Sequence, residues 1–246
     1  MDVSLIARAA APITMKRGRK GRRGNEFASN HERDIIVQRR GESVLEHFRR
    51  IYLALQPVDP SEVMPVIGVT SSVGREGRST IAAGIAAAMA ADLEAPIVLV
   101  EADLESPGMH RVLGIGEQPG ICEYLRGEVE LATVLRQIAD RFYVLPSGDA
   151  RGEAARLARQ LVSGDLLMRL QSSGAVPVLD LPPVLASSYG VLVCSMADTL
   201  AFAVRSGQTT TTQVKEALAR LPEEAVRGIV LNGAEPQLPS WLRGRD

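Results

Sequence analysis

The sequence predicts an α/β domain whose mostly parallel central sheet carries helices on both faces. Three observations support this. From Met64 onward, short β-branched runs alternate with Ala- and Leu-rich stretches of helical spacing. The first such run leads through a Gly- and Ser-containing turn straight into a small-residue helix, and two later runs end in carboxylates. Strand–helix–strand alternation needs right-handed crossovers, and these cover a parallel sheet on both sides.

Residues 1–40 stand apart from that pattern. Lys16-Arg17-Gly18-Arg19-Lys20-Gly21-Arg22-Arg23 puts six cations in eight positions. Such a run repels itself and buries nothing, so a basic, disordered tail is expected. Its plain reading is a solvated arm, and its sharper reading is contact between Lys16–Arg23 and anionic lipid or an acidic partner. Nucleic acid is not expected, because no aromatic side chain is interleaved for base stacking.

Residues 41–246 are read as the domain itself. It opens on a helix at Ser43–Leu55, where Val44, Phe48, Ile51 and Leu55 share one face. A linker containing Pro57 and Pro60 follows. Strands are then expected at Val66–Thr70, Ile97–Glu101, Phe142–Leu145, Val176–Asp180, Leu200–Val204 and Gly228–Leu231. Helices are expected at Ser79–Asp92, Arg151–Ser172 and Thr210–Leu221. Ligands of such sheets sit at the carboxyl ends of the strands.

Composition bounds the alternatives. With 246 residues, 46% of them hydrophobic and 23% charged, the chain can bury a core without disulfides or metal. A net charge of −1 gives no global attraction to nucleic acid or membrane surface. Cys122 and Cys194 lack metal-ligand spacing and read as reduced core residues of a cytoplasmic protein. The apolar run Ile81–Ala91 is too short to cross a bilayer. Leu5–Ile13 is interrupted by Arg8 and Pro12, and the positive charge follows it, so it does not read as a signal peptide.

The segment from Val66 to Thr80 holds the strongest chemical signal. A strand runs into Ser71-Ser-Val-Gly-Arg-Glu-Gly-Arg-Ser-Thr80, and a helix begins at once. Backbone N–H groups across Gly74, Arg75, Glu76 and Gly77, with the dipole of the following helix, suit a phosphate. Gly77 would allow close approach, Arg78 would neutralise the β- and γ-phosphates, and Ser79 and Thr80 would reach Mg²⁺ and phosphate. The bound species is expected to be ATP with Mg²⁺.

Two strand ends supply acids. Glu101 and Asp103, one residue apart at the end of the second strand, point the same way in extended chain. Asp180 closes an apolar run just before Pro182 and Pro183, and there it could hold the water shell of Mg²⁺.

The whole pattern resembles the bacterial tyrosine kinases. These are the cytoplasmic ATPase partners of polysaccharide chain-length regulators, and they are relatives of the deviant-Walker ParA/MinD ATPases. The resemblance covers about residues 41–234. Its carriers are the Ser71–Thr80 loop, Glu101-Ala-Asp-Leu-Glu-Ser-Pro107 with His110, Gly120-Ile-Cys-Glu-Tyr-Leu-Arg-Gly127, Leu145-Pro-Ser-Gly148, Asp180-Leu-Pro-Pro183 and Val230-Leu-Asn232. Upstream, Glu46-His-Phe-Arg49 is similar to a helix that family members use to form rings.

By that resemblance the fold is a ParA/MinD-like P-loop NTPase. Asp103 assists a hydroxyl nucleophile or the metal, Asp180 holds the metal's water shell, and Asn232 borders the adenine. The implied partner is a membrane-embedded polysaccharide chain-length regulator, which would recruit the protein to the inner face of the membrane. Homo-oligomers would form through the Glu46/Arg49 helix. The sequence departs from the family at Arg78 for lysine, Glu101 for aspartate, Glu105 for arginine and Tyr52 for the last arginine of the ring helix. No tyrosine lies in Gly233–Asp246, where autokinases of the family carry a cluster. The implied function is therefore a tyrosine-kinase-like regulator of exopolysaccharide or capsule biosynthesis. The alternatives are a nucleotide-binding regulatory subunit with little phosphotransfer and a ParA/MinD-like ATPase.

Overall fold

A computed structural model describes residues 41–56 and 64–233. The basic Lys16–Arg23 run, the Pro57/Pro60 linker and the tail beyond Gly233 lie outside the described residues. The chain runs α1 (Gly41–Leu55), β1 (Ile67–Ser71), α2 (Arg78–Asp92), β2 (Ile97–Glu101), α3 (Met109–Leu113), α4 (Ile121–Leu125), α5 (Leu131–Val134) and β3 (Arg136–Ala139). It continues through β4 (Phe142–Leu145), α6 (Ala154–Ser163), α7 (Leu166–Ser172), β5 (Val176–Asp180), α8 (Gly190–Cys194), β6 (Thr199–Arg205), α9 (Thr211–Leu218) and β7 (Val226–Asn232).

The seven strands order as β3-β4-β2-β5-β1-β6-β7, all parallel except β3, which pairs antiparallel with β4. The expected mostly parallel sheet with helices on both faces is what forms. Strands β2, β4 and β5 begin and end where the sequence places them, while β1, β6 and β7 differ by one or two residues at their ends. Strand β3 was not anticipated. The stretch expected as one helix over Arg151–Ser172 is two, α6 and α7, because Gly164 adopts an extended conformation (φ −85°, ψ −176°) that stops the first.

The two faces of the sheet bury separate clusters. On one, Ile67, Val69, Ile97 and Leu99 pack against the Ala-rich helix α2, over which α1 lies. Small side chains let α2 approach the sheet closely. Gly84 in its middle takes the ring of Phe48 from α1, since a Cβ there would lie 2.4 Å from the ring. On the other face, Val100, Leu145, Leu179 and Phe202 meet the helices that follow β4 and β5. Cys122 and Cys194 are buried, unbridged members of that second cluster. No helix among the described residues is long and apolar enough to cross a membrane.

Helix α1 is anchored by charge as well as packing. Arg49 forks onto both carboxylate oxygens of Asp92 at the end of α2 (2.7 and 2.6 Å), and its remaining terminal nitrogen donates to Glu46 at 2.6 Å. The hydroxyl of Tyr52, buried beneath, also donates to Asp92.

Candidate functional site

The loop between β1 and α2 sits where two neighbouring strands end. Val69 of β1 and Glu101 of β2 both pair with Asp180 of β5, so the phosphate-loop strand and both acidic strand ends are adjacent at the carboxyl edge of the sheet. Residues after β5 then cross the loop: Val184 N–H donates to Ser71 O (2.8 Å) and Leu185 N–H to Ser72 O (3.0 Å).

Gly77, immediately before α2, has φ +91° and ψ +18°. A Cβ at that position would lie 2.0 Å from Nδ2 of Asn232, which donates to Glu76 O at 3.0 Å. Backbone conformation and close approach therefore both demand glycine. Gly77→Ala is expected to cost about 1–3 kcal/mol through a disfavoured φ and a displaced Asn232. A thermal melt checks this, with Gly74→Ala, where a Cβ meets nothing within 4 Å, as the neutral comparison.

An open cleft of about 500 Å³ adjoins the loop. Gly74, Arg75, Gly77, Arg78, Ser79 and Thr80 form one wall. Asp103, Glu105, Gly108 and Arg111 form another. The start of the 15-residue helix α2 thus faces open space, as an anion site requires.

Not every expected ligand points there. The Glu76 side chain turns inward: one carboxylate oxygen accepts from Val73 N–H at 2.7 Å, and the other accepts from the Thr209 hydroxyl and, at 3.4 Å, from Arg205 N–H. It braces the turn. Asn232 likewise stands behind the loop, against Glu76 and Gly77, rather than on the cleft wall.

Arg78 departs furthest from expectation. Its guanidinium does not extend into the cleft as a phosphate counter-charge. Nε donates to Leu181 O (2.8 Å), Nη1 to Ser71 Oγ and Val73 O (both 3.0 Å), and Nη2 to Asp103 Oδ2 (2.8 Å). The Arg78 and Asp103 side chains are only 9% and 3% exposed. Asp103 is correspondingly committed, because its other oxygen accepts from Ser106 N–H at 3.1 Å. Burial holds its carboxyl above the usual carboxylate range, with Arg78 and the Ser106 N–H pulling the other way.

Asp180 is the opposite case. It is 1% exposed, and neither carboxylate oxygen has a hydrogen-bond partner. Burial pushes its pKa up to about 7, although the charge of Arg78 and the nearby Ser79 hydroxyl, which is close enough to interact but does not complete a hydrogen bond, oppose this. The hydroxyl of Ser72 in the neighbouring loop is also buried without a partner. Buried polar atoms left this way mark a place for water, an ion or a ligand.

Glu101 serves as an anchor. Oε1 accepts from Gly108 N–H (2.6 Å) and Met109 N–H (2.7 Å), capping α3, while Oε2 accepts from Ser147 N–H (3.0 Å). The sequence reasoning missed Gly108 and Arg111. Their position beside His110 in a motif of the resemblance was the signal that could have found them.

None of the chain's four tyrosines is exposed. Tyr52, Tyr143 and Tyr189 are buried, and Tyr124 is half-buried. The Tyr189 hydroxyl accepts from Glu105 N–H at 2.9 Å, and that of Tyr124 accepts from Arg169 at 3.1 Å. Among the described residues, no cluster of three or more His, Cys, Asp or Glu side chains is arranged to hold a metal.

Comparison with known proteins agrees with this architecture. No protein-family model matches the chain. It is 25% identical over 175 residues to the tyrosine-protein kinase Wzc of Salmonella typhi, covering 70% of this chain and 24% of Wzc. It is 26% identical over 204 residues to the succinoglycan biosynthesis transport protein ExoP of Rhizobium meliloti, covering 80% of this chain and 26% of ExoP. The tyrosine-protein kinase YwqD of Bacillus subtilis is 25% identical over 210 residues, 83% of this chain and 88% of YwqD. The chain thus spans about a quarter of the length of Wzc and ExoP. Among solved structures, the kinase domain of Escherichia coli ETK superposes with a TM-score of 0.65 at 23% identity, covering 72% of this chain and 70% of that one. The septum site-determining protein MinD of Pyrococcus horikoshii, solved with Mg-ADP, gives 0.56 at 20% identity, covering 72% and 74%. Wzc and YwqD are named bacterial tyrosine-protein kinases and ExoP a succinoglycan biosynthesis transport protein, and the fold is that of bacterial tyrosine-kinase domains, shared more distantly with MinD.

Proposed function

We propose that this chain binds ATP with Mg²⁺ at the turn between β1 and α2 and acts as a tyrosine-protein-kinase-like regulator of exopolysaccharide or capsule assembly. The observation that carries the reading is Asp180. It is a buried carboxylate with both oxygens unpartnered, on the strand next to the one that leads into an anion-binding helix start.

Mg²⁺ fits these residues. The Ser79 hydroxyl lines the cleft and its side chain lies near Asp180, whose open oxygens suit the water shell of a hard cation. Bound Mg²⁺ would supply charge neutralisation to the phosphates. The loop amides of Gly74–Gly77 and the first turn of α2 would hold the phosphate oxygens, and Gly77 would let them approach. Asp103, on the facing wall, would receive the proton of an attacking hydroxyl, and to do so it would have to give up part of its bonding to Arg78 or Ser106 N–H.

The same reading takes residues 41–246 as the nucleotide domain and residues 1–40 as a basic arm. It places the protein in the cytoplasm beside a membrane-embedded chain-length regulator and assigns self-association to the Glu46/Arg49 helix. The name of ExoP, a succinoglycan biosynthesis transport protein, supports the polysaccharide part of the reading for that longer protein.

A second reading has its own support in the bond between Arg78 and Asp103. With the loop cation and the candidate base neutralising each other, the protein would bind nucleotide and transfer little phosphate. Incubation with [γ-³²P]ATP, Mg²⁺ and a tyrosine-containing acceptor protein separates the two. Transfer to tyrosine is expected from the first reading, and nucleotide binding without transfer from the second. Absence of any ATP or ADP binding in a calorimetric titration would sink both.

A further inference from the structure

Five charged side chains line the cleft, namely Arg75, Arg78, Asp103, Glu105 and Arg111. Arg78 and Asp103 neutralise each other at 2.8 Å. Arg75 and Glu105, both exposed, roughly balance. Arg111 is the remaining charge, and no carboxylate among the described residues lies within ion-pair distance of it.

Its position is fixed by its own helix start. Nη2 donates to Pro107 O at 2.9 Å, and Nη1 stands 3.2 Å from Nε2 of His110. His110 in turn is paired with Glu117 at 2.9 Å, which keeps that carboxylate occupied elsewhere. The remaining donors of Arg111 are uncommitted. Between its guanidinium and the loop stands Gly108. A Cβ there would lie 2.9 Å from Ser79 Oγ and 3.8 Å from Arg111 Nη2. The bare glycine therefore leaves open the space that the Ser79 hydroxyl and the Arg111 guanidinium share. Any side chain at position 108 would fill it.

We infer that Arg111, delivered from α3, is the phosphate-holding cation of this cleft, while Arg78 acts as an internal brace for the loop. This rests on the nucleotide reading above and names the residue that discriminates among nucleotides. Without Arg111 the cleft wall carries no net positive charge, so a polyanion meets only amides and the helix start. A guanidinium offers paired donors to phosphate oxygens, and charge-assisted bonds of this kind are among the strong ones. The contribution should grow with the number of phosphates on the nucleotide.

Calorimetric titration of the full chain with Mg·ATP, Mg·ADP and AMP tests this. Arg111→Ala is expected to weaken ATP binding at least about tenfold, ADP less and AMP hardly at all. The melting temperature should stay unchanged, because Arg111 is exposed. Arg111→Lys should recover part of the ATP affinity and Arg111→Glu none. Gly108→Val should weaken all three nucleotides by filling the opening. Wild-type ATP affinity in Arg111→Ala, or an equal loss for ATP and AMP, overturns the inference while leaving the nucleotide site standing. If the wild-type chain binds none of the three, the site assignment itself falls, and the role of Arg111 with it.

Discussion

Asp103→Ala is expected to destabilise the protein by about 3–5 kcal/mol, because it strands the Arg78 guanidinium in a buried site without its counter-charge. For a chain of this size that corresponds to a fall in melting temperature of roughly 10 °C. Two bonds from Arg78 to main-chain carbonyls, Leu181 O and Val73 O, would persist, but carbonyls do not carry the charge that Asp103 does. The reciprocal change, Arg78→Met, should cost less, since a buried carboxyl can take up a proton and stay neutral. Combining the two should cost clearly less than the sum of the single changes, the mark of residues that act as one unit. Thermal or denaturant melts of the four proteins check this. Additive losses would mean that the pair is incidental and that Arg78 is available to a ligand after all.

Asp180→Asn is expected to act in opposite directions on the empty and the liganded protein. The folded-state pKa of about 7 lies above the ordinary carboxylate value of 3.8. Between those values the folded chain holds a proton that the unfolded chain releases, so stability is fully present at low pH and is lost as pH rises toward 7. Above pH 7 the native state must carry a buried carboxylate with no partner. Asparagine is isosteric and uncharged, so Asp180→Asn should melt several degrees above wild type at pH 8, with the gap narrowing through pH 5 and closing only below the unfolded pKa of 3.8. The same substitution should abolish the Mg²⁺ dependence of nucleotide binding. Equal melting curves at pH 8 would show that Asp180 is not ionised and unpaired there.

Much of this architecture was legible because buried parallel strands have a plain signature. Ile97–Glu101 and Val176–Asp180 are continuous apolar runs that stop at a charge, and their ends fall where the charge falls. Strand β3 was illegible because Arg136-Gln137-Ile138-Ala139 holds one large apolar side chain and becomes a strand only by pairing with β4. The short helices α3, α4, α5 and α8, four or five residues each, are too brief to show a period. The break between α6 and α7 turns on the backbone of one glycine inside an otherwise helical pattern.

The site divides in the same way. Its location follows from local sequence, since strand, turn and helix are contiguous and the acids close their strands. Side-chain direction does not, because it depends on partners distant in sequence. Arg78 turns inward because Asp103 and Leu181 O, 25 and 103 positions away, offer it acceptors. Glu101 reads as a near-miss for an aspartate motif. The structure gives the added methylene a purpose: it lets one carboxylate collect three N–H groups from two segments.

The burial of three of the four tyrosines limits where a phosphoryl group could land on this chain. A phosphoryl group cannot reach a ring packed in the sheet or under a helix without a local opening of the fold. Self-labelling at Tyr52, Tyr143 or Tyr189 would therefore run at the frequency of such openings, not at the speed of the chemistry. Of the four rings, Tyr124, half-buried with its hydroxyl bonded to Arg169, is the one nearest to solvent as folded.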